Sequence, residues 1–374
     1  MKKPQPHAQQ ISNQLVEYIN QLITQQGGSI SFATYMQQAL FAPNLGYYCN
    51  GLTKFGVSGD FITAPLLGSL FAKCLAQQIA QLCKHYNFSN LLEIGAGTGQ
   101  LAIDLLQEMA RLNIAINNYY ILEPSAELKF RQQQLVQQQY PTWLTTIKWL
   151  DSLPNASFYG IILANEVLDA FPVNKFQISP NGLQEFSVVS NNNALQWTLT
   201  TPSTQLQQAI NNYNITTLPY ESEINLLAAA WLSSLEQSLA KGIILLCDYG
   251  YKRSEYYHPD RQTGTLMCHY QHHCHTNPLL YPGLQDITAH VDFTLIAETA
   301  LKLGLTINGY TNLASFLINC GLTSLITNQY QEARILSSPA EMGELFKVIA
   351  LGKQCSLPLI GFSQYDKRHN LITA

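Results

Sequence analysis

An α/β fold with a Rossmann-like sheet is predicted, and three observations predict it. From Asn90 onward, short apolar runs alternate with helical patterns, as expected for a parallel sheet with helices on both faces. The first run leads into LLEIGAGTGQ (91–100), an apolar strand that meets three alternating glycines and then a helix. Acidic and amide side chains recur at the ends of later runs, where open α/β sheets bind ligands.

The order of elements follows from periodicity. Residues 1–88 read as helical: Ile11, Leu15, Tyr18, Ile19 and Leu22 share one face, Gly27-Gly28 stops that helix, and Ser31 caps the next. Residues 43–59 are rich in glycine and aromatics and read as a loop, and a further helix spans about 65–85. Strands are expected at 91–94, 119–122, 146–150 and 159–164, with helices at 100–112 and 126–139. Residues 174–200 alternate in period two between turn residues, the pattern of a β-hairpin or small antiparallel insertion. Helix is expected over 203–240, a strongly apolar strand at 242–247, and a long loop from about 252 to 290. Helices near 291–303 and 311–320 and strands at 305–310 and 346–351 complete the chain. The domains expected are an N-terminal helical cap (1–88), a core (89–173 and 241–353), an insert of hairpin and helices (174–240) and a tail (354–374).

Composition narrows the function. Hydrophobic residues make up 47% of the 374, enough for a sizeable core. The formal net charge is −4 and no basic stripe stands out, so nucleic acid is not an expected partner. No run of about 18 apolar residues occurs, so no membrane insertion is expected. Eight scattered cysteines without a C-x-x-C pair read as reduced thiols, and the N-terminus carries neither a secretory h-region nor an Arg-rich transit pattern, so a cytoplasmic protein is expected. The loop holding His258, His269, His272, His273, His275 and His290 matches no common zinc spacing, so no metal is expected.

The chemistry is carried by four sites. Gly95, Gly97 and Gly99, with Ala96 and Thr98 between them, allow a tight turn and close approach of backbone to a ligand. Glu93 precedes them; an acid there would repel a pyrophosphate but suits the sulfonium and α-amino group of S-adenosylmethionine. An ordinary strand–turn–helix connection is the plainer alternative. Glu123, at the tip of the next strand, can accept both ribose hydroxyls, or serve only as an acid at a helix N-terminus. Asp151 and Ser152 can lie beside an adenine or form a surface turn. In LANEVLDAFPV (163–173), Asn165, Glu166 and Asp169 follow the fourth strand. The two carboxylates, three residues apart, would share one helix face and could hold a guanidinium. A capped helix start is the alternative.

These motifs resemble the MidA-like methyltransferases, a family that includes a mitochondrial protein arginine methyltransferase of respiratory complex I assembly. SGDFITAP (58–65), LLEIGAGTGQLAIDLL (91–106), NEVLDAFPV (165–173), CDYGY (247–251), GTL (264–266), NPLLYPGLQDITAHVDF (277–293) and MGELFKVIAL (342–351) carry the resemblance, which runs from about residue 11 to 353. It implies a seven-stranded class I methyltransferase sheet and S-adenosyl-L-methionine as cofactor. It implies that Gly95, Gly97 and Gly99 line the cofactor, that Glu123 meets its ribose, and that Gly59, Asp60 and Thr63 close over the site. Asn165 and Glu166 would stand near the transferring methyl, with His290 and Asp292 reaching the same pocket. Leu66 stands where the family carries an acid, LLGSLFAKCL lacks the usual FGE, and His272 is the counterpart of the family's histidine in MCHYQHHCHT.

The implied reaction is in-line transfer to an arginine nitrogen of a protein, a subunit of respiratory complex I type, with Glu166 and Asp169 as first candidates to position it, and Asp60 and Asp292 behind them. A small-molecule methyltransferase and a non-catalytic, cofactor-binding assembly factor are the competing readings. A homodimer is compatible with the sequence.

Overall fold

The computed structural model describes residues 3–52, 54, 63–211, 213 and 215–372. The chain forms two compact units, one of Met1–Phe61, Leu168–Ala228 and Arg253–Val291, the other of Ile62–Val167, Ala229–Lys252 and Asp292–Ala374.

The second unit holds the predicted sheet. Its main path has seven strands: β1 (Asn90–Ile94), β2 (Asn118–Leu122), β3 (Ile147–Leu150), β4 (Phe158–Asn165), β5 (Leu239–Tyr251), β6 (Thr306–Asn312) and β7 (Phe346–Lys353). Their order across the sheet is β6-β7-β5-β4-β1-β2-β3. Neighbours among β1–β5 pair in parallel, whereas β7 runs antiparallel to both β5 and β6. The seven-stranded class I methyltransferase sheet expected from the motifs is therefore present. β1 and β5 read as near-continuous apolar runs because both faces of a parallel sheet are covered; Leu91, Leu92, Ile94, Ile243, Ile244, Leu245 and Leu246 are all buried.

Three helices flank the site-bearing strands: α1 (Leu70–Tyr86), α2 (Gln100–Arg111) and α3 (Ala126–Gln139). In α2, Leu101, Ala102, Leu105, Leu106 and Met109 fall on one stripe and are buried. α1 shares a core with the sheet: Phe71, Leu75, Ile79 and Leu82 belong to the same cluster as Leu91 and Ile161. That shared core moves α1 out of the cap expected over 1–88. The tail expected from 354 onward also joins this core, through Leu359 and Phe362, whose ring packs 5.4 Å from Phe316.

The first unit has helices Pro6–Gln25 and Phe32–Phe41 over a five-stranded antiparallel sheet, with Leu15, Ile19, Tyr35, Met36 and Val188 in its core. The alternating segment forms Asn174–Ser179, Gly182–Asn191 and Ala194–Thr200 of that sheet, as its pattern predicts. Two expectations fail here. Helix over 203–240 is interrupted by the strand Tyr220–Ile224, paired with Asn174–Ser179; Pro219 cannot continue a helix, and Tyr220 and Ile224 gain burial in the sheet. The expected long loop contains a three-stranded sheet, Met267–Tyr270, His273–His275 and Asp286–Thr288. Gln271 and His272, both at positive φ (48° and 61°), make the two-residue turn of its first hairpin.

Candidate active site in the second unit

Strand order places the site. β1 lies between β2 and β4, so the connections that leave β1 and β4 part in opposite directions and open a crevice at the carboxyl ends of the strands. The glycine segment follows β1, and Asn165–Val167 follows β4.

Gly95, Gly97 and Gly99 have φ of +67°, +55° and +83°, the left-handed region that favours glycine. Side chains would also collide: a Cβ on Gly95 would stand 3.0 Å from Val167 Cγ2, and one on Gly99 3.2 Å from Gln132 Cγ. The turn is tied down by Gly95 N–H donating to Leu122 O (3.0 Å) and Gly99 N–H to Ala96 O (2.8 Å). Thr98 Oγ1 accepts from Gln100 N at 3.4 Å, at the start of α2.

Glu123, just past β2, is buried. Its Oε1 accepts from Ser125 N (3.1 Å), and its Oε2 from Gly97 N (3.3 Å) and Gln132 Nε2 (3.2 Å). Gln132 also donates to Gly97 O (2.9 Å) and accepts from Trp149 Nε1 (2.9 Å). One fully buried amide thus braces the glycine turn, the acid and β3 together. Burial pushes the Glu123 carboxyl up to about 7 against the pull of these donors. Glu93 is buried within β1 and accepts from Tyr119 OH at 2.7 Å. Burial first, with a contribution from Glu123, raises it to about 7 against that hydrogen bond.

After β4 the backbone turns sharply. Glu166 has φ +53°, rare for a residue with a side chain, and its N–H donates to Cys247 O at 2.9 Å. Val167 N–H donates to Asp248 Oδ2 at 3.1 Å, and Asn165 Nδ2 to Glu166 Oε1 at 3.1 Å. Burial first, then the Glu166 and Asp248 carboxylates, hold the Cys247 thiol well above its usual range. Asn165, Cys247, Phe71, Leu101 and Phe316 line a small, largely apolar cavity, and Asn165 Oδ1 is buried without a hydrogen-bond partner among the described residues. A left-handed backbone at a residue with a side chain is costly and persists only where the surroundings hold it.

Other expected residues fall elsewhere. Glu166 and Asp169 do not share a helix face: residues 166–173 form no helix, because Glu166 adopts a left-handed backbone and Pro172 follows. Asp169 belongs to the first unit, where its carbonyl accepts from Ala289 N at 3.0 Å. There Tyr48 OH donates to both oxygens of Asp286 (2.9 and 3.0 Å), and burial, then Asp286 and Asp169, raise the Tyr48 hydroxyl well above its usual range. His290 is half-buried in the same unit and its N–H donates to Thr265 Oγ1 at 3.0 Å. Asp292 caps the helix Phe293–Lys302, its Oδ1 accepting from Thr294 N and Leu295 N (3.0 and 3.1 Å). Asp151 and Ser152 are exposed after β3, and Asp151 pairs with Lys129 at 2.6 Å. Thr63 is half-buried at the N-cap of Ala64–Leu67. Gly59 and Asp60 lie outside the described residues. Sequence reasoning missed Tyr119, Gln132 and Trp149, and gave Asp248 no role although it noted the DYGY block.

A strand order reversing at a glycine turn, with a buried acid at the tip of the next strand, defines a class I methyltransferase core. The family model for S-adenosyl-L-methionine-dependent methyltransferases matches residues 70–311. A Burkholderia thailandensis protein whose crystal structure holds S-adenosyl-homocysteine is 38% identical, with 99% of this chain and 100% of that one covered and a TM-score of 0.95. The mitochondrial protein arginine methyltransferase NDUFAF7 of Danio rerio is 26% identical over 91% of this chain and 90% of its own length. Its Drosophila melanogaster homolog is 28% identical over 90% and 86%. The chain belongs to this S-adenosylmethionine-dependent methyltransferase family, the MidA-like family that its motifs resemble. The cytoplasmic expectation is corrected by the same relatives, which are named mitochondrial proteins. Cysteine usage reports reducing surroundings and does not separate the two compartments. Among the described residues, no helix is long and apolar enough to cross a membrane.

The residues present fit the cofactor. Three left-handed glycines expose backbone to it, and a buried acid hydrogen-bonded to that same turn offers an acceptor beside it. Gly99→Ala is expected to weaken S-adenosylhomocysteine binding about tenfold, because strain on the order of 1–2 kcal/mol would be relieved by distorting the turn. Calorimetry checks this, and undiminished affinity would show that the turn tolerates a side chain.

Proposed function

We propose that this enzyme methylates an arginine side chain of a protein, with Glu166 positioning the guanidinium. The observation that carries the reading is the strained backbone of Glu166, which fixes a carboxylate at the switch point of the sheet beside the glycine turn. The names of the relatives support the arginine acceptor. A complex I-type subunit as its bearer rests on the motif resemblance.

Gly95, Ala96, Gly97, Thr98 and Gly99 cradle the cofactor in this reading, and Glu123 accepts from its ribose. Glu93 supplies negative charge behind the turn, and Asn165 holds the Glu166 carboxylate. Thr63, Asp151 and Ser152 complete the cofactor contacts proposed. Bound there, S-adenosylmethionine supplies an electrophilic methyl group on a sulfonium sulfur. Glu166 accepts guanidinium N–H bonds, which localises charge and orients the attacking nitrogen; holding both reactants in line is the larger part of catalysis here. Asp292 is proposed as an acceptor-side residue.

Transfer of a tritiated methyl group into a cell lysate, resolved by size, tests the reading. A labelled protein band that yields methylarginine on hydrolysis is expected. Label confined to small molecules would replace it with small-molecule methylation, and cofactor binding without transfer with a non-catalytic assembly role.

A further inference from the structure

Within the first unit, one buried carboxylate has an oxygen that nothing satisfies. Glu223 lies in the strand Tyr220–Ile224, opposite Lys175 in the antiparallel register, and is fully buried. Its Oε1 accepts three hydrogen bonds, from Tyr256 OH (2.9 Å), Thr265 N (2.7 Å) and Thr265 Oγ1 (2.5 Å). Thr265 Oγ1 accepts in turn from His290 N (3.0 Å), so the donors are aligned toward that single oxygen and polarise one another. Glu223 Oε2 is equally buried and has no hydrogen-bond partner among the described residues. The lysine across the strand pair is engaged elsewhere, its Nζ lying 3.1 Å from Glu221 Oε2.

A bare carboxylate oxygen in the interior is costly unless a donor, best a cationic one, meets it. Gly264 packs directly against this oxygen: it is half-buried, has φ +76°, and a Cβ there would stand 2.2 Å from Oε2. The surroundings are aromatic. The rings of Tyr256 and Tyr257 are 4.7 Å apart, and Tyr257 OH donates to the Glu223 carbonyl at 3.0 Å. A guanidinium already uses this cluster, since Arg253 Cζ lies 4.7 Å from the Tyr213 ring, itself 4.9 Å from that of Tyr257.

We propose that Glu223 Oε2 is the anchoring acceptor for a guanidinium of a bound ligand, reached past Gly264. A planar cation that hydrogen-bonds at its edge and stacks on tyrosine faces matches these walls better than a compact ammonium. A metal ion would need several ligands, and among the described residues no group of three or more His, Cys, Asp or Glu could hold one. The identity of the cation rests on the arginine-acceptor reading above.

The test uses the full chain loaded with S-adenosylhomocysteine. The probe is Nα-acetyl-L-arginine amide, with its neutral citrulline counterpart as the control. Wild type is expected to bind the arginine probe about tenfold or more tighter than the citrulline one. Glu223→Gln keeps an oxygen for the three donors but turns an NH2 toward the ligand. It should bind the arginine probe about tenfold more weakly than wild type does, with Glu166 retaining its own preference for a guanidinium, while binding S-adenosylhomocysteine as wild type does. Equal binding of the arginine probe by both proteins, or no binding by wild type, overturns the proposal. A higher Tm for the variant with unchanged binding would likewise show the bare oxygen to be internal strain only. If the variant does not fold, a crystal structure of wild type soaked with the probe decides. A guanidinium nitrogen on Glu223 Oε2 is expected; an undisplaced water there, or a probe bound only elsewhere, overturns the proposal. Failure of wild type to bind S-adenosylhomocysteine would instead sink the methyltransferase reading of the second unit.

Discussion

Glu166→Gln will lower turnover by about 10²-fold or more and leave S-adenosylhomocysteine affinity within about twofold. The substitution is nearly isosteric, and glutamine keeps an oxygen that can accept from Asn165 Nδ2, now 3.1 Å from Glu166 Oε1. Two bonds that hold the sharp turn do not involve the carboxylate, from Glu166 N to Cys247 O and from Val167 N to Asp248 Oδ2. What disappears is the negative charge that would face a guanidinium. In the proposed reading, cofactor contacts belong to the glycine turn and to Glu123. Single-turnover methyl transfer beside calorimetry separates the two effects. Unchanged turnover removes Glu166 from the mechanism, whereas loss of nucleoside binding makes it a cofactor ligand.

The parts of this site that could be read from sequence are those where chemistry leaves few alternatives. Three glycines in five residues after an apolar strand demand left-handed backbone, and all three have it. A run such as GIILLC has no role in solution and must be a buried strand. Where letters serve two purposes, the reading failed. NEVLDAFP looks like a helix start because its acids are three apart, yet the left-handed Glu166 stops any helix. Gln132 is one of three consecutive glutamines in a Gln-rich helix. Only the fold shows that this one reaches Gly97, Glu123 and Trp149. Glu223 is hidden for a similar reason: nothing in YESEI tells that its acid will be buried while Glu221 meets Lys175 at the edge.

Glu123→Gln should make the protein more stable at pH 8 and a poorer binder of its nucleoside. Burial raises the Glu123 carboxyl from its ordinary 4.5 to about 7. The folded state therefore holds this proton more tightly than the unfolded chain, and stability falls as pH rises from about 4.5 through about 7. Above that window the fold carries an ionised buried acid at a cost on the order of 3 kcal/mol. A neutral amide removes most of this cost, less what is lost because its NH2 cannot accept from Ser125 N or Gly97 N. Nucleoside binding has the opposite sign. Ribose hydroxyls donate best to the ionised carboxylate, so wild-type affinity for S-adenosylhomocysteine should rise with pH through about 7 and then level off. The variant should bind about tenfold more weakly at pH 8, with a shallower pH profile. What slope remains comes from Glu93, which titrates in the same window. Thermal melts and calorimetry at pH 5.5 and pH 8 measure both quantities. A variant that melts lower at pH 8 and binds the nucleoside as tightly as wild type would mean that Glu123 braces the turn through Gly97 and Gln132 and never meets the ribose.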